Sequence, residues 1–306
     1  MAKNSTNVRM ELTRLVMRTR GRVLGTLAPD RTGRWAERLF RTPRRTPPSR
    51  TARSVLEQGQ QRFLALCGEQ VAVWSWGEGP RVLLVHGWSG YGGQLTAFVE
   101  PLVAAGFSVV AFDAPAHGLS SGRYSSFPDM ARVIRAVAQA TGGPHALIAH
   151  SLGAAASALA LRDGMSVERA VFLAPPSDPR KAVAFLSREL ALPERAKARM
   201  VERLEARLGP LQQYVVPDFV PSLKVPVRIF HDAHDEEVRL ESGEAIARAW
   251  PGATLVRTEG LGHHRILYTP AIVSEAVAFI AASRPRDAWP RLSTATLKLV
   301  PTQARP

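Results

Sequence analysis

The chain has 306 residues, 45% of them hydrophobic, which is enough to bury the core of one large α/β domain with an inserted segment. Its single cysteine, Cys67, excludes an intramolecular disulfide, and no apolar run approaches the roughly 18 residues of a membrane span. The first residues lack the apolar core of a secretory signal peptide. These features predict a cytoplasmic protein.

The net charge of +14 is concentrated near the amino terminus. Residues 1–62 contain 15 Lys and Arg against 4 Asp and Glu, a net charge of +11, and the remaining residues add only +3. Such a segment attracts anionic membrane surfaces or nucleic acid. We expect no specific nucleic-acid partner, because the sequence has no zinc-ligand spacing, stacking-aromatic motif or DNA-reading module. The alternatives are a solvated, partly helical arm, packing on the body, and peripheral binding to an anionic membrane surface.

Residues 1–54 are predicted to form a basic N-terminal extension. Apolar residues at helical spacing favour one helix at residues 9–18 and another around Trp35, Leu39 and Phe40. Residues 42–49 form a linker rich in helix-breaking residues. The folded domain is predicted to span residues 55–283, and residues 284–306 form a tail to which we assign no role.

The folded domain is predicted to begin with a hairpin and then to alternate short apolar strands with helices. The expected strands are residues 62–66, 71–76, 82–85, 108–112, 145–149, 169–173, 225–230 and 254–257. The expected helices are residues 94–105, 128–141, 152–162, 242–250 and 271–282. This alternation predicts an α/β fold with a mostly parallel sheet flanked by helices, whose functional sites lie at the carboxyl ends of the strands.

A long interval breaks this alternation between the strands at residues 169–173 and 225–230. Its residues 194–208 place Met200, Leu204 and Leu208 on one face of a helix. We therefore expect an inserted helical lid, at about residues 175–222, over the strand ends.

The stretch around Ser151 has the pattern of a strand, a sharp turn and a helix. A serine at the apex of such a unit is lifted out of the backbone and exposed. Small residues such as Ala149 and Gly153 suit this turn, because the strand and the helix nearly touch there. The alternative is that Ser151 only caps the helix. The backbone N–H of Leu152, at the helix N-terminus, is a candidate donor to an oxyanion.

Other polar clusters follow the predicted strands, and all of them should meet at one edge of the sheet. They include the His86-Gly87 strand end, the segment Asp113-x-Pro-x-His-Gly-x-Ser120, and the late Asp and His residues at 231–238 and 260–264. With the turn at Ser151, these motifs make residues of about 60–283 similar to an α/β-hydrolase. The resemblance implies a serine hydrolase with the chain order Ser, Asp, His.

The resemblance also implies an acid and a base. Asp235, in the pattern Asp-x-x-Val, matches the acid loop of the family better than Asp232, which is nearer the strand. His263 matches the Gly-His ending of the family, with His264 as its competitor. The implied triad is Ser151, Asp235 and His263.

Further roles around the site follow from the same resemblance. It places the second oxyanion donor at the backbone N–H of Trp88, whose side chain either lines an acyl pocket or packs. His86 and His117 match positions that shape loops, so we interpret them as structural. His150, beside the nucleophile, lines the pocket or packs.

The expected activity is hydrolysis of a carboxylic ester or a related acyl compound, without a cofactor. A thioesterase or an acyltransferase would use the same triad, and a binding protein with a dormant triad is a third alternative. A metal site among the late His and Asp residues is weakly supported, because His231 and His234 belong to no known ligand motif.

Overall fold

The computed structural model describes residues 2–283, which form an eight-stranded, mostly parallel sheet with helices on both faces. The strands are β1 (Gln60–Leu66), β2 (Glu69–Trp76), β3 (Arg81–Val85), β4 (Ser108–Phe112), β5 (Ala146–His150), β6 (Arg169–Leu173), β7 (Val227–Asp232) and β8 (Ala253–Thr258). The α-helices are α1 (Ala2–Leu27), α2 (Pro29–Phe40), α3 (Arg50–Gln58), α4 (Val99–Ala104), α5 (Phe127–Ala140), α6 (Leu152–Arg162), α7 (Pro179–Glu189), α8 (Glu194–Leu208), α9 (Val216–Phe219), α10 (Leu240–Ala249), α11 (Gly262–Arg265) and α12 (Pro270–Ala281). The predicted tail, residues 284–306, lies outside the described residues.

The strands lie in the order β1-β2-β4-β3-β5-β6-β7-β8. β2 pairs antiparallel with β1 and with β4, and the other neighbouring strands pair in parallel. The parallel strands end at one edge of the sheet, so the polar segments that follow them converge there. The predicted fold class is confirmed, and the strand positions agree to within a residue or two.

Alternating strand residues build an apolar layer on each face of the sheet. Leu83 belongs to the layer that includes α5 and α6, whereas Leu84 belongs to the layer that includes α4 and α12. Because both faces are covered, the central strands are apolar throughout.

The long interval between β6 and β7, residues 174–226, contains α7, α8 and α9 and is called the insertion below. The helix expected at residues 194–208 is α8. Its Met200 and Leu204 are fully buried and join the core layer that contains α5 and α6. The apolar face of α8 is therefore used for packing, and a lid function of the insertion stays a prediction.

Residues 14–37 of the N-terminal extension pack on the insertion, so this part of the extension is not a solvated arm. Helix α2 lies against α8 so closely that a Cβ on Gly33 would be 2.6 Å from the Cβ of Arg199. Helix α3 was not predicted; it begins after Ser49, whose Oγ accepts a hydrogen bond from the N–H of Ala52 at 3.2 Å. None of the helices in residues 2–283 combines the length and the apolar character that crossing a bilayer requires.

Candidate active site

Ser151 lies at a strained turn between β5 and α6. Its φ of 51° and ψ of −127° are rare for a residue with a side chain. The N–H of Ser151 donates to the carbonyl of Leu173 at 2.9 Å, and a Cβ on Gly153 would overlap the carbonyl oxygen of His86. The Ser151 hydroxyl makes no capping hydrogen bond to α6, so this residue is not an ordinary N-cap. The turn holds the side chain out of the helix, as a nucleophile requires.

A histidine and a carboxylate form a buried pair at the ends of β7 and β8. The Nδ1–H of His263, on α11, donates to Oδ2 of Asp235 at 2.7 Å. The other oxygen of Asp235 accepts from the N–H groups of Glu237 at 2.9 Å and Val238 at 2.8 Å. Burial alone would raise the pKa of Asp235, but the hydrogen bonds from His263 and the two N–H groups outweigh it and hold the pKa below 3.8. Asp235 is therefore a carboxylate at neutral pH.

The neighbouring histidine points elsewhere. His264 is exposed, and its Nε2 lies 2.8 Å from Oε1 of Glu237. The structure thus brings His263, and not His264, onto Asp235.

Asp232, the less favoured candidate acid, holds the loop that carries His263. Its carboxylate accepts hydrogen bonds from the Thr258 hydroxyl at 2.8 Å, the Leu261 N–H at 2.9 Å and the His234 N–H at 3.0 Å. The sequence alone does not predict this role of Asp232. The sequence shows only that Asp232 is a carboxylate at the end of a strand. Its hydrogen-bond partners depend on how the loop after β7 meets the loop after β8.

His150 joins the Ser151 turn to the His263 loop. Its ring centroid lies 4.6 Å from that of His263, and its Nε2–H donates to the His263 carbonyl at 3.0 Å. Burial lowers the pKa of His150 well below 6.5, so the ring is neutral. Within the described residues no hydrogen bond joins the Ser151 hydroxyl to His263; the candidate acid and base are paired, and His150, which precedes Ser151, contacts the candidate base. Such bonds commonly tighten only when substrate binds.

The two candidate oxyanion donors flank the turn. A Cβ on Gly87 would lie 3.0 Å from the Cβ of Ser151, so the segment carrying Trp88 passes directly beside the serine. Among the described residues, neither the Trp88 N–H nor the Leu152 N–H donates a hydrogen bond. Both groups are therefore free to bind a substrate oxygen. The Trp88 ring packs edge-on against His117, with centroids 5.2 Å apart.

His86 and His117 support the loops around the site. The Nε2 of His86 accepts from the Ala114 N–H at 2.9 Å, and its Nδ1–H donates to the Gly87 carbonyl at 2.7 Å. The His117 ring packs on His86 with centroids 5.0 Å apart. Burial lowers the pKa of His86 to about 4 and that of His117 to about 3, so both are neutral at pH 7. These contacts agree with a structural role.

Residues 41–49, here called the strap, bind to the loops of the site. The Arg44 N–H donates to the Ser89 hydroxyl at 3.0 Å, and the Thr46 hydroxyl donates to the Ser89 carbonyl at 3.2 Å. The Arg45 guanidinium donates to three carbonyls of residues 118–122. The sequence of residues 42–49 predicts only a linker, because hydrogen bonds to backbone groups that are distant in the chain leave no local pattern.

The histidines near the site have different hydrogen-bond partners, although His231 Nε2 also lies 3.7 Å from Oδ2 of Asp235. His231 donates from Nε2 to the Val238 carbonyl at 2.7 Å, whereas His263 and His264 face different carboxylates. In the part of the chain that the structure describes, no three His, Cys, Asp or Glu side chains are grouped as metal ligands would be.

A serine at a strand–helix turn, served by acid and base from later strand ends, is the arrangement that defines the α/β-hydrolase class. Residues 82–282 match the family model described as the alpha/beta hydrolase family. The chain therefore belongs to the alpha/beta hydrolase family. The match begins at residue 82, so α1, α2, α3 and the strap precede it.

Solved structures show the same fold. The esterase EaEST from Exiguobacterium antarcticum is 17% identical, with a TM-score of 0.58 over 72% of this chain and 99% of its own. A putative lipase (lip1) from Acinetobacter baumannii AYE is 18% identical, with a TM-score of 0.60 over 78% and 98%. The thioesterase domain from the curacin biosynthetic pathway is 21% identical, with a TM-score of 0.54 over 74% and 99%. No curated protein matches the sequence.

Proposed function

We propose that this protein is a serine hydrolase that cleaves a carboxylic ester or a related acyl compound through an acyl-enzyme intermediate. The observation that carries the proposal is the buried His263–Asp235 hydrogen bond beside the strained turn at Ser151. A serine hydroxyl is a poor nucleophile unless a neutral imidazole takes its proton and a carboxylate holds that imidazole in the required tautomer.

In the first half of the reaction, the Ser151 oxygen attacks the acyl carbonyl and His263 Nε2 takes the hydroxyl proton. The Trp88 and Leu152 N–H groups donate to the oxyanion of the tetrahedral intermediate. The intermediate collapses, the bond to the alcohol breaks, and the alcohol leaves with the proton from His263. Asp235 stabilises the imidazolium in between and stays ionised.

In the second half, a water molecule attacks the acyl-enzyme and gives a proton to His263 Nε2. Collapse of the second intermediate releases the carboxylic acid and returns the proton to Ser151. Thioester hydrolysis and acyl transfer to another alcohol differ only in the leaving group or the acceptor. The same side chains serve these reactions.

The test is a screen of aryl esters, alkyl esters and acyl thioesters, run beside labelling with a fluorophosphonate probe. We expect turnover and labelling of the wild type, with both lost in Ser151→Ala. The matched control is Ser274→Ala, because Ser274 is an exposed serine on α12, away from the turn. The control should keep both properties.

Two results would contradict the proposal. One is equal labelling of the wild type and Ser151→Ala. The other is that no ester or thioester turns over above the Ser151→Ala background, which favours a binding protein that retains the fold. The preferred leaving group distinguishes an esterase from a thioesterase.

A further inference from the structure

Helix α1 exposes apolar side chains along one side. Six of the ten large apolar side chains that are exposed in the described residues lie on it, with Leu27 76% exposed and Leu15 61% exposed. At 3.6 residues per turn, positions 12, 16, 23 and 27 fall within about 60° of one another, and position 15 borders them. These five residues, called the α1 stripe, are Leu12, Leu15, Val16, Val23 and Leu27.

The opposite side of α1 is packed against the insertion. A Cβ on Gly21 would overlap the carbonyl oxygen of Leu190, and a Cβ on Gly25 would lie 2.6 Å from Cδ of Pro193. Arg14, on the same side, pairs with Glu189 at 2.7 Å. These contacts fix the rotation of α1, so the α1 stripe faces away from the protein.

The margins of the α1 stripe are basic. Helical geometry places Arg20 on one side of the stripe and Arg22 on the other, and both are exposed. The Arg20 guanidinium lies over the Trp35 ring, 4.7 Å from its centroid. Residues 1–62 together carry a net charge of +11. An exposed apolar face with cationic margins matches the chemistry of an anionic bilayer surface, where acyl chains lie beneath negative headgroups.

Two other occupants fit this surface less well. A symmetric dimer through the α1 stripe would bring two strongly basic extensions together, and the repulsion would oppose association. Nucleic acid would satisfy the arginines but leave the apolar side chains unused, and α1 has no aromatic residue for stacking on bases.

We propose that α1 binds flat on anionic lipid bilayers, with the α1 stripe inserted at the boundary between headgroups and acyl chains. Because the contacts of α1 with the insertion fix which side of the helix is exposed, the protein would bind the bilayer in one orientation. Helix α1 then lies between the bilayer and the junction of α7 and α8. The proposal does not depend on the proposed hydrolase activity.

The experiment measures co-sedimentation of the full chain with phosphatidylcholine vesicles, with and without phosphatidylglycerol. The stripe variant carries Leu12→Gln, Val16→Gln and Val23→Gln. The control variant carries Phe63→Gln and Tyr268→Gln, which change exposed apolar residues of β1 and of the segment before α12. All three positions of the stripe variant are exposed, so folding should survive, and circular dichroism with thermal unfolding verifies it.

We expect the wild type and the control variant to bind vesicles that contain phosphatidylglycerol and to bind pure phosphatidylcholine weakly. The stripe variant should bind the anionic vesicles about tenfold more weakly or worse. A wild type that does not bind would overturn the proposal, and so would a folded stripe variant that binds as the wild type does. Analytical ultracentrifugation gives a third contrary outcome: a dimeric wild type and a monomeric stripe variant would assign the stripe to a second copy of this chain.

Discussion

His263 Nδ1 and Asp235 Oδ2 lie 2.7 Å apart, and both side chains are buried. This bond fixes the proton of the neutral imidazole on Nδ1 and leaves Nε2 as the basic nitrogen. His150 immediately precedes Ser151 and contacts the His263 ring. This contact holds the ring that carries the basic nitrogen beside the turn.

Asp235→Asn should lower kcat by about 10³- to 10⁴-fold, because an amide at this position favours the wrong imidazole tautomer. The fold should persist, since an amide oxygen still accepts the loop N–H groups of Glu237 and Val238. Steady-state kinetics on the best ester of the screen measure this effect. His264→Ala is the control and should retain nearly full kcat; if it loses as much activity as Asp235→Asn, the base is assigned wrongly.

Thr46→Val should reduce kcat by about two- to tenfold, because it removes a hydrogen bond that holds the turn of Trp88 and Ser89. The expected change is in kcat, with little effect on KM, since the role proposed for this loop is donation to the oxyanion of the tetrahedral intermediate. Thr46→Ser keeps the hydroxyl and should restore activity. Valine keeps the Thr46 methyl group and lacks only the hydroxyl, so a Thr46→Val enzyme with the kcat of the wild type would show that the hydrogen bond to the Ser89 carbonyl does not position this turn.

Gly33→Ala should destabilise the protein by about 1–3 kcal/mol, even though alanine is the better helix former. The added Cβ would lie 2.6 Å from the Arg199 Cβ and 2.9 Å from the Met200 backbone nitrogen, which cannot move without shifting α8. Urea unfolding measures the change. Arg34→Ala, on the exposed side of α2, should leave the free energy of unfolding within about 0.5 kcal/mol of the wild type. A Gly33→Ala protein as stable as Arg34→Ala would show that α2 and α8 pack less closely.

The stability of the protein should fall as the pH drops below 6.5. Burial lowers the pKa of His86 to about 4 and of His117 to about 3, so between these values and 6.5 the unfolded chain binds protons that the folded chain does not. Above pH 6.5 neither histidine contributes to the pH dependence. Asp113 opposes the trend, since burial raises its pKa from 3.8 to about 6 and the folded chain gains stability on acidification in that range.

The measurement is the free energy of unfolding in urea from about pH 8 to about pH 4. His117→Asn removes one of the two histidines and leaves Asp113 in place. Its stability should therefore fall less steeply than that of the wild type below pH 6.5. Identical slopes would show that His117 is not kept neutral by its surroundings.

The sequence by itself determined most of the sheet, because the central strands β3, β4, β5 and β6 are short apolar runs whose pattern is local. Small residues around Ser151 likewise predicted the turn, and the polar residues after the strands marked the edge at which a site should form. In parallel sheets these segments converge whatever the details of the loops.

Only the tertiary structure decided whether His263 or His264 faces Asp235. Successive residues of a helical turn point about 100° apart, and the sequence spacing does not say which of them points inward. It also decided the contact of His150 with His263 and the packing of α1 and α2 on the insertion. These contacts join residues distant in the chain. Their partners depend on how whole elements pack, and no local pattern encodes that choice.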